Sequence, residues 1–119
     1  MFSLLFALCA DYEKLVIDTF ARNGLERPPK VLVVDKDHPQ IKRPGSYNNI
    51  AAAVLMKDGR EFILINGDSS LKDCRADIEH EIAHLIAWRR HGPRIRMHGQ
   101  KFKRVCRSIA TGNKRSTCH

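Results

Sequence analysis

The chain is organised around one stretch, Ile78-Glu79-His80-Glu81-Ile82-Ala83-His84-Leu85-Ile86-Ala87-Trp88, which contains the pattern H-E-x-x-H. Residues four apart in an α-helix lie on one face, one turn above the other, so His80 and His84 could direct both imidazoles at one Zn²⁺. Glu81 lies about 100° round the helix from His80, where its carboxylate could contact a water on the metal. The pattern therefore predicts two zinc ligands and a catalytic general base.

The residues around this motif are mostly apolar, which predicts a buried or half-buried helix. Ionisable groups in such a run need partners, because burying an unpaired charge is costly. The alternative to a metal site is an amphipathic helix whose His80 and His84 lie at the edge of the core, satisfied by hydrogen bonds. The sequence downstream of the motif favours the metal site.

The length and composition predict a single domain over residues 1–119. No C-x-x-C pair occurs, so we expect scattered thiols in a reducing compartment and no disulfide framework. The cysteines are Cys9, Cys74, Cys106 and Cys118. Cys106, Cys118 and His119 could in principle hold a second metal, although no fourth ligand is evident.

The first ten residues are apolar, but they lack a basic n-region, and Asp11 and Glu13 follow at once. The stretch is also too short to span a bilayer. We interpret it as the first turns of a buried helix. We therefore expect a cytoplasmic, monomeric protein with no membrane partner.

The formal net charge is +8, and its distribution along the chain is uneven. All acidic residues lie at or before Glu81, whereas the residues after Trp88 include many cations and no acid. This asymmetry favours a polyanion partner, most simply DNA, single-stranded or double-stranded. The alternative is a solvated basic face that aids solubility. The predicted nucleic-acid contacts are Arg89, Arg90, Arg94, Arg96, Lys101, Lys103, Arg104 and Arg107.

Hydrophobic periodicity predicts an α+β fold that starts with a helix over residues 4–23, ended by Gly24. Three short strands follow, over residues 31–34, 50–56 and 61–66. The last two strands flank Asp58-Gly59, which suits a type I′ hairpin turn, so we expect a mainly antiparallel sheet.

The motif helix is predicted over residues 71–90, with Ser70 as its cap and Asp73 in its first turn. His91-Gly92-Pro93 ends it. A last helix over residues 100–110 would bury Phe102, Val105, Cys106 and Ile109, and residues 111–119 are predicted to be a polar tail or a short extended segment.

A catalytic zinc usually has three protein ligands and an open position. His91 fails the metzincin spacing, because it is seven residues after His84 and Ala87 stands where glycine is needed. A later glutamate ligand is excluded because no acid follows Glu81. His98 fits better, since it lies where a basic loop meets a helix. The alternative for His98 is a surface histidine beside a glycine.

His80-Glu81-Ile82-Ala83-His84 followed by His98-Gly99-Gln100-Lys101-Phe102 resembles the core of SprT-like (Spartan-type) metallopeptidases. The resemblance covers most of the chain and implies a zincin-like fold whose C-terminal helix carries the third ligand at its start. It implies one catalytic Zn²⁺ held by His80, His84 and His98, with Glu81 as the general base. It also implies protein substrates, including proteins associated with DNA.

The chain departs from many bacterial members of this family, which carry a four-cysteine zinc ribbon after the protease core. We therefore expect a minimal version, in a bacterium or a phage-infected host cell, whose DNA targeting rests on the basic last quarter. Asp77 is a candidate to accept the second ring N–H of a zinc-bound histidine, although a backbone carbonyl could serve as well.

Two other classes of function stay open. One is a nucleic-acid-binding module with a closed, four-ligand structural zinc, which Cys106 could complete. The other is a protein–protein interaction domain that keeps an inactive zincin shell. The presence of Glu81, the predicted general base, argues against this class.

Overall fold

The computed structural model describes residues 9–45, 48–69 and 74–119. These residues form an α+β fold with a mixed three-stranded sheet and several helices. A 3-10 turn at Cys9–Tyr12 precedes the first helix. The elements are α1 (Glu13–Arg22), β1 (Lys30–Val34), β2 (Ala51–Leu55), β3 (Glu61–Asn66), α2 (Cys74–His91), α3 (Gln100–Ile109) and α4 (Lys114–Thr117). In the described part of the chain, no helix combines the length and the apolar character needed to cross a membrane.

The sheet has the order β1-β3-β2, with β3 in the centre. β2 and β3 are antiparallel, as the hairpin predicts, but β1 is parallel to β3. The prediction of a mainly antiparallel sheet is therefore wrong. A hairpin signal specifies only the pairing of adjacent strands, whereas the long connection after β1 lets that strand reach the far side of β3.

The hairpin turn also differs from the type I′ prediction. A type I′ turn needs positive φ at two central residues, but Arg27 is the only non-glycine residue with positive φ in the described ranges. Gly59 has φ 92°. Its N–H donates a hydrogen bond to the Met56 carbonyl, and the Met56 N–H donates to the Arg60 carbonyl. This is the three-residue hairpin loop in which a single left-handed glycine closes the turn.

Helix α1 is shorter than predicted, because the chain enters it through the 3-10 turn; residues 4–8 of the prediction lie outside the described residues. Its predicted end is confirmed. Gly24 has φ 68°. Its N–H donates a hydrogen bond to the Ala21 carbonyl, and the Leu25 N–H donates to the Phe20 carbonyl. These two bonds are the Schellman motif that satisfies the last carbonyls of a helix.

Helix α2 lies at the centre of the core and contacts β2, β3, α1, α3 and α4. It ends one residue later than predicted, where Gly92 takes φ 88° and donates to the Trp88 carbonyl. The predicted cap residue Ser70 and Asp73 lie outside the described residues. The fully buried core side chains include Phe20, Ile63, Ile65, Ile78, Ile82, Leu85, Ile86 and Phe102.

The prediction of a polar tail after α3 is wrong. Residues 111–119, here called the α4 segment, fold back onto the protein, and Thr117 and Cys118 are buried. Asn113 caps α4, because its side chain accepts from the Ser116 N–H at 3.1 Å. The segment is hydrophilic overall, so its composition does not reveal that Thr117 and Cys118 anchor it.

The expectation of unpaired thiols is also wrong, because the fold joins the cysteines in two disulfides. The 3-10 turn packs against the start of α2, which brings the Cα atoms of Cys9 and Cys74 within 5.5 Å. The α4 segment returns to α3, which places the Cα atoms of Cys106 and Cys118 5.7 Å apart. Since both sulfurs are used, Cys106 and Cys118 do not form a second metal site. The reducing compartment stays a prediction, and the cysteines do not support it because they are paired.

Candidate metal centre

Three histidine side chains converge, two from one helix and one from a loop. His80 and His84 lie one turn apart on α2, and His98 lies in the loop just before α3. The Nε2 atom of His80 is 3.2 Å from that of His84 and 3.2 Å from that of His98. In the described ranges these three histidines form the one cluster that could hold a metal ion, with ligand atoms within 4.8 Å of one another.

The spacing of these nitrogen atoms suits zinc. Zn–N bonds of about 2.0–2.1 Å in a tetrahedral site separate two nitrogen ligands by roughly 3.3 Å. The two measured distances from His80 are close to this value. His98 is exposed whereas His80 and His84 are buried, so the site opens to solvent on the side of His98.

The second nitrogen of His80 is hydrogen-bonded to the backbone. Its Nδ1 lies 2.7 Å from the Thr117 carbonyl oxygen, which can only accept, so Nδ1 carries the proton and donates. This leaves the Nε2 lone pair directed at the other histidines. Asp77, the predicted acceptor, is exposed one turn earlier. A backbone carbonyl of the α4 segment takes this role instead.

Burial keeps the two helical histidines in the neutral form that binds metals. Together with the smaller effect of the neighbouring histidines, it lowers the pKa of His84 to about 3. Burial also lowers the pKa of His80, although the bond to Thr117 opposes this. Both imidazoles therefore stay unprotonated at neutral pH, which makes their lone pairs available to a cation.

Glu81 lies on α2 between the two histidines and is half-buried beside β2. Its Oε1 accepts the Ala53 N–H at 2.9 Å. The pKa of Glu81 is raised to about 7, mainly because the carboxyl group is buried; the bond from Ala53 opposes this shift, and the Asp77 charge contributes to it. A carboxyl with a pKa near neutrality can both take up and release a proton at physiological pH.

Phe102 forms an apolar wall of the cluster. It is fully buried, and its ring stacks on His84 with centroids 4.2 Å apart and an interplanar angle of 20°. Its ring also contacts His80 and His98, with centroids 4.9 Å and 5.3 Å away. Phe102 thus packs against all three imidazoles. The sequence pattern predicts only that it is buried on the inner face of α3.

Glu79 is a buried carboxylate that the sequence marks only as an acid in an apolar run. Its carboxylate is directed toward Thr111. Its Oε2 accepts the Thr111 hydroxyl at 2.9 Å, and its Oε1 accepts the Thr111 N–H at 3.2 Å. Arg75 lies 3.4 Å from Oε2. These contacts attach the α4 segment to α2 directly beside His80.

The structure separates Arg89 from the other predicted nucleic-acid contacts. Its Nε lies 3.0 Å from both carboxylate oxygens of Glu61, and its Nη1 donates to the Glu26 carbonyl at 2.7 Å. Its guanidinium also covers the Phe20 ring at 4.8 Å. Because these bonds engage Arg89 within the fold, we do not expect it to contact nucleic acid. Lys103 is half-buried, and the remaining cations are exposed: Arg90, Arg94, Arg96, Lys101, Arg104 and Arg107.

Residues 64–119 match the SprT-like family. Over these residues the chain is similar to SprT-like proteins, and we call them the SprT-like segment. The match confirms the resemblance that the two histidine motifs carry. The SprT-like segment begins in β3 and contains Glu81, the three clustered histidines, Phe102 and the α4 segment. It suggests a metallopeptidase-type function, and the three close histidines are compatible with the zinc of that type. The chain matches no curated protein and no solved structure.

Proposed function

We propose that this protein is a zinc-dependent endopeptidase of the SprT-like type. The observation that carries the proposal is the cluster itself, with neutral imidazole nitrogens 3.2 Å apart beside a carboxyl group of raised pKa. Three histidine ligands with an open fourth position are typical of catalytic zinc sites, whereas structural sites are closed by four protein ligands. The fourth ligand suggested for a structural zinc, Cys106, is bonded to Cys118.

Each residue has a distinct task in this proposal. His80, His84 and His98 would hold the ion, which when bound polarises a scissile carbonyl and lowers the pKa of water. The Ala53 N–H holds Oε1 of Glu81, so we assign proton transfer to its other carboxylate oxygen. Glu81 would take a proton from the attacking water and return it to the leaving amine.

A groove of about 770 Å³ lies beside His98 and offers a path for the substrate. Met97 and Ile95 contribute apolar surface, and the lining also includes the cations Arg96, Lys101 and Lys103. Pockets that combine apolar walls with a few polar groups are typical of ligand sites. An extended peptide in this groove would pass the exposed side of the histidine cluster.

The proposal is tested by measuring zinc content and casein cleavage on the same protein sample, with and without single-stranded DNA. We expect about one zinc per chain and cleavage that a chelator abolishes and added zinc restores. His84→Asn, which removes a buried ligand, should lose both zinc and cleavage. His91→Asn is the matched control on the same helix, because His91 is exposed outside the cluster. Cleavage that survives complete zinc removal would contradict the proposal.

We further propose that the substrates are proteins associated with DNA. Exposed cations on α3 and on the loop before it support this, because no acid lies in the same part of the sequence to neutralise them. Arg104 and Arg107 extend from the solvent face of α3, opposite the buried Phe102 and Val105. Phosphate contacts from such a face would bring the protease to proteins on the nucleic acid.

The charge-reversal pair Arg104→Glu/Arg107→Glu should weaken duplex DNA binding and reduce the slope of log affinity against log salt by about 2, since each lost phosphate contact removes about 0.9. The control pair Lys36→Glu/Lys42→Glu alters the net charge equally at exposed residues outside this region. Fluorescence anisotropy over a salt series measures both. Equal effects of the two pairs would show a non-specific charge effect and count against this interface.

A further inference from the structure

The ring orientation of His80 depends on the α4 segment. The His80 Nδ1–H donates to the Thr117 carbonyl at 2.7 Å, and both residues are buried. Such a bond selects the tautomer and holds the ring plane, so the free Nε2 keeps its direction toward His84 and His98. If the Thr117 carbonyl moved away, the ring could rotate and take the other tautomer.

The α4 segment does not hold this position by its own helix. A helix of four residues is far below the length of about 12–15 residues at which isolated helices become stable. Its position depends on its attachments. The Cys106–Cys118 disulfide joins the residue after Thr117 to α3, one turn beyond Phe102. Covalent closure of this loop, with a sequence separation of 12, removes most alternative positions of the segment.

A second attachment lies at the other end of the segment. The buried Glu79 binds Thr111 through both carboxylate oxygens. The Lys114 Nζ adds bonds to the carbonyls of Arg107 and Ala110, at 2.6 Å and 3.0 Å. The Thr117 carbonyl is therefore fixed from both sides, by a buried carboxylate before α4 and by a disulfide after it.

We propose that the α4 segment positions the metal ligand His80 through the Thr117 carbonyl, and that the Cys106–Cys118 disulfide makes the zinc affinity of the protein depend on its redox state. This inference rests on the proposed zinc site. A dithiol reductant would donate two electrons and two protons, break the S–S bond, leave thiols on Cys106 and Cys118, and itself become a cyclic disulfide. The released segment would then hold the carbonyl less firmly against His80.

The experiment compares zinc affinity, by competition with a chromogenic chelator, in three oxidised proteins. We expect Cys106→Ser/Cys118→Ser to bind zinc about 10–100-fold more weakly than wild type, the usual loss when the partner of a ligating histidine is removed. Cys9→Ser/Cys74→Ser, which removes the other disulfide, should bind zinc as wild type does. Serine is used because freed thiols could themselves bind zinc.

A second readout reports the positioning without metal. In the metal-free Cys9→Ser/Cys74→Ser protein, the hydrogen-bonded Nδ1–H of His80 should give a downfield proton NMR signal that His80→Gln removes. Reduction of the remaining disulfide should broaden or remove this signal while circular dichroism shows a folded protein. A disulfide that only stabilises the fold would leave the signal unchanged.

The outcomes separate the two proposals. If wild type binds no zinc, the proposed function fails, and the NMR signal alone still decides whether the segment positions His80. If wild type binds zinc and the Cys106→Ser/Cys118→Ser protein binds it equally well, the redox inference is overturned. Should that variant not fold, Glu79→Gln weakens the other attachment with the disulfide intact. It should lower zinc affinity by less than the serine pair, and an unchanged affinity would overturn the inference.

Discussion

Glu81→Gln should lower the rate of peptide cleavage by about 10²–10⁴-fold, the range that general acid–base catalysis contributes. The amide is nearly isosteric with the carboxyl group, and its oxygen can still accept the Ala53 N–H that holds Glu81 in place. It cannot take a proton from water at neutral pH. Because Glu81 is not among the clustered ligands, the variant should keep its zinc. Single-turnover cleavage and zinc content, measured on one preparation, test this expectation.

The control for this variant is Glu13→Gln, which removes a carboxylate at an exposed position of α1. It should retain wild-type cleavage and zinc content. Cleavage by Glu81→Gln within about threefold of wild type would refute the role of general base, since even the low end of that catalytic range is larger. Loss of zinc together with activity would instead assign Glu81 to the metal site.

Phe102→Ala should destabilise the metal-free protein by about 3–5 kcal/mol, the usual cost of deleting a fully buried aromatic side chain. The same change removes the ring that packs against His80, His84 and His98, so zinc affinity should fall as well. Unfolding by urea without metal gives the first quantity. Zinc titration, under conditions in which the protein is folded, gives the second.

Phe20→Ala is the matched control, because Phe20 is an equally buried phenylalanine that packs beneath Arg89 rather than in the histidine cluster. It should cost a similar free energy of unfolding and leave the zinc affinity of the folded protein unchanged. If both variants lowered zinc affinity equally, Phe102 would act only through global stability. A loss below about 1 kcal/mol for Phe102→Ala would contradict its place in the core.

The sequence by itself determined the features that depend on neighbouring residues. The i, i+4 spacing of His80 and His84 on an apolar helix is local, and the structure places both on one face of α2. Gly24 ends α1 and the Glu61–Asn66 strand forms as predicted, because backbone preference and hydrophobic pattern act within a few residues. The H-G-x-x-F motif likewise identifies His98 as a candidate ligand from the sequence alone.

Only the tertiary structure decided the features that join distant segments. The parallel pairing of β1 with β3, the two disulfides and the ion pair of Arg89 with Glu61 all depend on which elements become neighbours. So does the partner of His80, which is a carbonyl 37 residues away in a segment whose composition predicts a tail. A backbone carbonyl has no sequence signature, since every residue carries one, and its role follows solely from where the fold places it.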